Sequence, residues 1–181
     1  YIKATIIQDS INSNGTRITT FELEYPRIIH SELMTHRMFS RNAASSRAIP
    51  ISKVIELVRD DFASPVHWGK NQPGMQAKEE LEGHLKLQAQ QIWCTAARAA
   101  ANYSEQLSDL GAHKQVANRV TEPYQWMKTV VTATNYENCF WLRNHPDADP
   151  TIEVLASAMW TAFSESVPMP LKPGEWHVPC V

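Results

Sequence analysis

Apolar and polar residues alternate along two early runs of the chain. Ile2–Gln8 and Thr16–Tyr25 are rich in β-branched residues. In the second run Phe21, Leu23 and Tyr25 fall on one face, with Thr20, Glu22 and Glu24 on the other, the period-two signature of a sheet with one buried side. Between them, Asn12-Ser13-Asn14-Gly15 predicts a tight hairpin, because an Asn-Gly pair accepts the positive φ values of such a turn. After Pro26 the apolar spacing lengthens. Pro26 at the first turn, with Ile29 and Leu33 four apart, predicts a helix running to about Phe39. The small, polar stretch Ser40–Pro50 is too polar for core and leads into a short helix capped by Ser52. Pro65, Gly69, Pro73 and Gly74 then break regular structure. Leu81, Leu85, Ile92, Ala96, Ala99, Tyr103, Leu107 and Leu110 recur at steps of three, four or seven, which predicts a long helix with that stripe buried and Gly111 as its C-cap.

Farther on, Lys114–Val120 reads as a short helix ended by Pro123. Thr129–Thr134 reads as a strand or, equally, as buried helix. Pro150–Phe163 reads as a last helix with Ile152, Leu155, Ala156, Met159 and Phe163 facing inward. The sum is an α/β (α+β) fold in which an antiparallel sheet packs with long helices. Residues 1–166 are expected to form one domain, and 167–181 a Pro-rich tail leading toward further sequence. Starting at Tyr1 and stopping in that tail, the chain reads as trimmed at both ends.

With 181 residues, 43% hydrophobic and 20% charged, the chain can bury one sizeable core. A net charge of −2 gives no footprint for a nucleic-acid polymer, which needs many phosphate-neutralising cations. A small anion needs only a local cluster. Cys94, Cys139 and Cys180 are odd in number and lack a C-x-x-C pair, and the seven histidines lack H-x-x-x-H spacing; both features argue against a disulfide framework and against a metal site. A reducing, cytoplasmic compartment is the simplest reading, and no run suggests a membrane span.

The densest set of ligand-capable side chains is Thr35, His36, Arg37, Ser40, Arg41, Asn42, Ser45, Ser46 and Arg47. Guanidinium forks, hydroxyls and free turn N–H groups suit a nucleotide phosphate. The residues alone equally fit a solvated helix end, with His36 and Arg37 on terminal carbonyls and Asn42 or Ser45 capping the next turn.

The run Thr35-His36-Arg37-Met38-Phe39-Ser40-Arg41-Asn42-Ala43-Ala44-Ser45-Ser46-Arg47 matches the motif R-H-R-x-x-S-x-N-x-x-S-x-R at every fixed position but the first. It resembles the flavin-dependent thymidylate synthases over about residues 16–163. The resemblance implies that His36 and Arg37 contact FAD, that Asn42 orders the flavin-side loop, and that Ser45, the backbone at Ser46, and Arg47 hold the nucleotide phosphate. Ala117-Asn118-Arg119 up to Pro123 is similar to the stretch ending A-R-x-x-L-P, making Arg119 another nucleotide ligand. Asn138–Arg143 is similar to N-F-L-x-L-R, so that Asn138 touches flavin and Arg143 faces the pyrimidine as the catalytic group, stabilising charge that develops on its carbonyl oxygen. Taken by themselves, Arg119 reads equally as a surface salt bridge to Glu122, and Arg143 as a helix C-terminal charge.

By the same resemblance, a one-carbon unit passes from methylenetetrahydrofolate through FAD to C5 of dUMP, NADPH reduces the flavin, and the enzyme is a homotetramer with shared active sites. Two substitutions depart from the pattern. Thr35 replaces the first arginine and Glu32 replaces a glutamine, both at positions near the pyrimidine. A carboxylate accepts hydrogen bonds where an amide also donates, so C5 methylation or hydroxymethylation of a cytosine nucleotide such as dCMP is the alternative substrate reading. Glu32 could also face solvent or pair with Arg37. No T-P-x-E-H element precedes the motif, which opens a second alternative, a non-catalytic nucleotide-binding or assembly subunit without flavin. Pro179-Cys180 suggests a rival chemistry through a thiolate nucleophile, with only that dipeptide in its support.

Overall fold

The computed structural model describes residues 1–180. In chain order it contains β1 (Lys3–Ile11), β2 (Arg17–Pro26), a 3-10 turn (Arg27–Ile29) running into α1 (His30–Leu33), β3 (Ser40–Ala43), α2 (Ile51–Asp60), α3 (Gly83–Asp109), α4 (Lys114–Ala117), a 3-10 helix (Asn118–Tyr124), β4 (Trp126–Ala133), α5 (Glu137–Arg143), α6 (Pro150–Glu165) and β5 (Met169–Pro170). These elements divide into two compact units. One holds Tyr1–Tyr25, Ser31–Ala43 and the chain from Met127 onward; the other holds Pro26–His30 and Ala44–Trp126.

The first unit is built on a sheet of order β3-β4-β2-β1-β5. β1 and β2 pair antiparallel, as do β3 and β4, while the two-residue β5 adds parallel to β1 at Ser10 and Ile11. The alternation read from β2 holds from Phe21 to Tyr25, with Phe21, Leu23 and Tyr25 fully buried and Glu22 exposed; Thr20, expected on the polar face, is fully buried with its hydroxyl against Thr132 and His177. The hairpin differs in detail. Only Gly15 takes positive φ, and the Asn12 side-chain oxygen accepts from the N–H groups of Asn14 and Thr16, so Asn12 rather than Asn14 organises the turn. Thr129–Thr134 resolves to strand, within β4. Against the sheet lie Ile152, Leu155, Ala156 and Met159 of α6, all at most 1% exposed, and rings of Phe21, Phe39, Phe140 and Phe163 surround Tyr136 with centroids 5.0 to 5.9 Å away.

The predicted helix from Pro26 to Phe39 stops at Leu33. There Thr35 turns the chain: both its N–H and its hydroxyl donate to the Glu32 carbonyl, at 3.1 and 2.6 Å. His36 N–H then reaches the Leu33 carbonyl, tightening the backbone to three-residue steps. Ser40–Asn42, expected in a loop, pair as a strand with Thr132–Val130.

In the second unit α2 packs on α3 through Val54, Ile55, Val58, Ala97 and Ala101. Ser52 does not cap α2. The N-cap is Pro50, without a side-chain bond, and Ser52 lies exposed within the first turn. The stripe expected to be buried on α3 is also corrected: Leu85, Ile92, Tyr103 and Leu110 are 50%, 70%, 59% and 85% exposed, whereas Ala97, Ala100, Ala101 and Ser104 are buried. At about 100° per residue, the alanine seam lies roughly a third of a turn away from the large apolar side chains. Small residues let α2 approach closely, and that contact outweighs residue size in deciding which face is covered. Gly111, at φ +84°, ends the helix as expected. Pro123 sits inside the 3-10 helix instead of ending α4.

Candidate functional site

In the first unit, the turn after α1 and the end of α5 bring four predicted residues together. Arg143 is the last residue of α5. Its Nε donates to His36 Nε2, Nη1 to Glu32 Oε2 and Nη2 to Thr35 Oγ1, each at 3.2 Å. Each of the three guanidinium nitrogens donates once, leaving two of its five N–H groups over. Because Nε2 of His36 accepts from an arginine, it carries no proton, and the ring is neutral with its hydrogen on Nδ1. Burial holds the His36 pKa below its ordinary value, and the charges of Arg143 and Arg41 push in the same direction. Arg41 Nη1 also donates to the His36 carbonyl at 2.7 Å, and the imidazole stacks on Phe39 with centroids 5.4 Å apart. Burial raises the Glu32 pKa, the Asp149 carboxylate raises it further, and Arg143 partly offsets both. Glu32 thus pairs with Arg143, not with Arg37.

Beside this cluster lies a cleft of about 460 Å³ lined by Thr35–Phe39 together with Asn135, Glu137, Asn138 and Cys139. Three of the four residues expected at flavin, His36, Arg37 and Asn138, border it. Asn42 instead lies exposed in β3. Burial pushes the Cys139 thiol up to about 12, so it is protonated near neutrality and is a poor nucleophile. Cys180 is exposed and does not line the cleft. Among the described residues no group of three or more His, Cys, Asp or Glu side chains could hold a metal ion, and no helix is long and apolar enough to cross a membrane.

The second unit carries Ser45, Ser46, Arg47 and Arg119. Ser45 and Arg47 are exposed on a turn in which Ala48 N–H donates to the Ser45 carbonyl at 2.9 Å and Arg47 N–H to the Ser45 hydroxyl at 3.3 Å. The Ser46 hydroxyl is buried and donates to Glu122 Oε1. That oxygen also accepts from Arg27 at 3.0 Å and from Arg119 at 3.4 Å. Arg119 keeps 58% of its side chain exposed, free to meet an anion while tethered to the carboxylate. Sequence reasoning placed Arg41 among the ligand-capable residues without its bond to the His36 carbonyl, and missed Asn118 and the bridging role of Glu122. Only the position of Asn118 within the A-N-R stretch hinted at a part for it.

A family model described as thymidylate synthase complementing protein matches residues 17–169. The chain belongs to this family. The matched residues take in both clusters, from Glu32 to Arg143. Solved structures of a UMP/dUMP methylase, PolB from Streptomyces cacaoi, have the same fold. The form bound with 5-Br UMP is 18% identical with a TM-score of 0.73, covering 91% of this chain and 89% of that one. The form bound with 5-Br dUMP is 19% identical with a TM-score of 0.74, covering 91% and 90%. No curated protein matches the chain.

Proposed function

We propose that this member of the thymidylate synthase complementing family methylates C5 of dUMP, taking the one-carbon unit from methylenetetrahydrofolate with FAD and NADPH. The observation that carries the reading is the guanidinium of Arg143, held at its three nitrogens by Glu32, Thr35 and a neutral His36 beside a cleft bordered by Arg37 and Asn138. A fixed cation at a pyrimidine carbonyl stabilises the negative charge that accompanies bond formation at C5, and it needs no rearrangement to do so. That the solved structures of similar fold belong to a UMP/dUMP methylase supports a uracil mononucleotide.

The residues present fit a flavin. The cleft volume lies in the usual range for ligand pockets of about 300–1,000 Å³, Arg37 and Asn138 offer donors, and the Phe39–His36 stack gives it an aromatic wall. When bound, FAD supplies the carriage of the one-carbon unit and the hydride. Arg143 orients and polarises the base, Glu32 and Thr35 hold Arg143, and Ser45, the backbone at Ser46, Arg47 and Arg119 take the phosphate. Copies of the chain assemble as a homotetramer with shared active sites, and the exposed apolar side chains of α3 supply surface for that contact. Residues 1–166 form the catalytic domain, and the segment from 167 is its tail.

Incubating the protein with FAD, NADPH, methylenetetrahydrofolate and dUMP tests the reading. Formation of dTMP with flavin absorption in the purified complex is expected; a colourless protein that rejects added FAD and makes no dTMP overturns it. A second reading rests on Glu32, whose carboxylate stands in the Arg143 cluster where it would accept from a cytosine N4 amino group. A titration comparing dUMP with dCMP decides between them, and tighter dUMP binding removes the cytosine reading.

A further inference from the structure

The turn bearing Ser45 and Arg47 is held from inside the second unit by two side chains, Glu122 through the Ser46 hydroxyl and Asn118 through the backbone. Asn118 is fully buried at the start of the 3-10 helix. Its carboxamide nitrogen donates to the Ser46 carbonyl at 2.8 Å and to the Ile49 carbonyl at 3.0 Å. Both donor hydrogens are spent on one turn. The Asn118 carbonyl in turn accepts from Thr121 Oγ1 and Gln125 Nε2, and Gln125 also donates to Thr121. The side chain therefore projects from a backbone that is itself braced.

In a trans peptide the carbonyl oxygen and the next N–H point to opposite sides. A Ser46 carbonyl drawn toward buried Asn118 thus aims the Arg47 N–H away from the interior, where it donates to the Ser45 hydroxyl at 3.3 Å and holds that exposed hydroxyl beside the exposed Arg47 side chain. Anion recognition by a turn depends on donors fixed on one side in this way. Asn118 Oδ1 is buried with no hydrogen-bond partner, a cost that an apolar residue of similar size would avoid. Only the nitrogen end accounts for an asparagine here.

We propose that Asn118 is a positioning residue for phosphate: its carboxamide fixes the Ser45–Ile49 turn in the shape that receives the phosphate of the nucleotide. This rests on the proposed assignment of that turn to the phosphate of dUMP. Two neutral hydrogen bonds set the scale of the effect at about tenfold or more in affinity.

The test uses the full chain with FAD and titrates dUMP and deoxyuridine, which differ only in the phosphate. Asn118→Leu keeps the size and removes both donors without adding a charge. It is expected to weaken dUMP at least tenfold while changing deoxyuridine less than twofold. Equal weakening of both ligands, or no weakening, overturns the proposal. Should that variant fail to fold, the wild-type protein still decides the matter: the carboxamide N–H signals of Asn118 are expected to exchange slowly and to shift when dUMP is added but not with deoxyuridine. Signals unmoved by dUMP overturn the proposal. If wild-type protein binds deoxyuridine as tightly as dUMP, the assignment of the turn to phosphate falls instead.

Discussion

The neutral imidazole of His36 accepts a hydrogen bond that a protonated ring could not, so acidification should dismantle the Arg143 cluster from within. Its folded pKa lies below the unfolded value of 6.5. The unfolded chain therefore takes up the proton first, and the stability contribution is present above pH 6.5 and lost as pH falls through the folded pKa. Turnover of dUMP is expected to decline over the same interval. The substitution His36→Asn, which keeps a polar side chain without a titrating group, should flatten that profile; an unchanged profile in the variant would clear His36. Replacing Arg143 by Gln should lower kcat about a hundredfold or more, the scale for removing a preorganised charge-stabilising donor, with a smaller change in KM; steady-state kinetics measure both. At this scale the sequence was informative where residue type carries the chemistry. Arg143, Thr35 and Glu32 were each singled out, but their meeting on one guanidinium depends on α5 returning to the turn after α1, a tertiary fact with no local signature. Asn118 was passed over because a lone buried amide looks like ordinary polar filler until its partners are known.

Strands proved more legible than helix faces. Alternation over Phe21–Tyr25 is a direct projection of the pleat, and β2 follows it there, while Thr20 is buried. For α3 the spacing gave the helix and its Gly111 stop, yet the large apolar residues marked the wrong side, since a seam of Ala97, Ala101 and Ser104 accommodates α2 more closely than leucines would. Ala97→Leu should therefore destabilise by about 1–3 kcal/mol through overpacking, whereas Ile92→Ser should change the stability of an isolated chain by less than about 0.5 kcal/mol; urea denaturation distinguishes these. In β1, buried Asp9 accepts from Arg17 at 2.9 and 2.6 Å, from Thr19 at 2.9 Å and from Ser166 at 2.6 Å. Burial opposes its charge, but these bonds outweigh it and lower the pKa below 3.8. Its contribution is thus present above that value and lost as pH falls through the folded pKa. Asp9→Asn should cost about 3 kcal/mol and remove that part of the acid transition, which circular dichroism across pH 2–5 would record.

For the molecule as a whole, the sequence conveyed the fold class and the order of its motifs, because these depend on periodicity and on residue identity. It did not convey the division into two units or the course of the segment after α6, whose residues carry little periodicity. There β5 pairs with β1, and His177 lies 2.9 Å from Ser10 Oγ and 2.8 Å from Thr20 Oγ1, contacts far apart along the chain that no local pattern announces. The two faces of α3 have a last consequence. One is zipped shut by alanines inside a single copy of the chain, and the other leaves Leu85, Ile92, Tyr103 and Leu110 in water. If like molecules cover that greasy flank, heat must separate them before it melts them, and the melting point becomes a function of how much protein is in the tube. A hundredfold dilution should then lower Tm, and Ile92→Glu should lower it further and abolish the dependence.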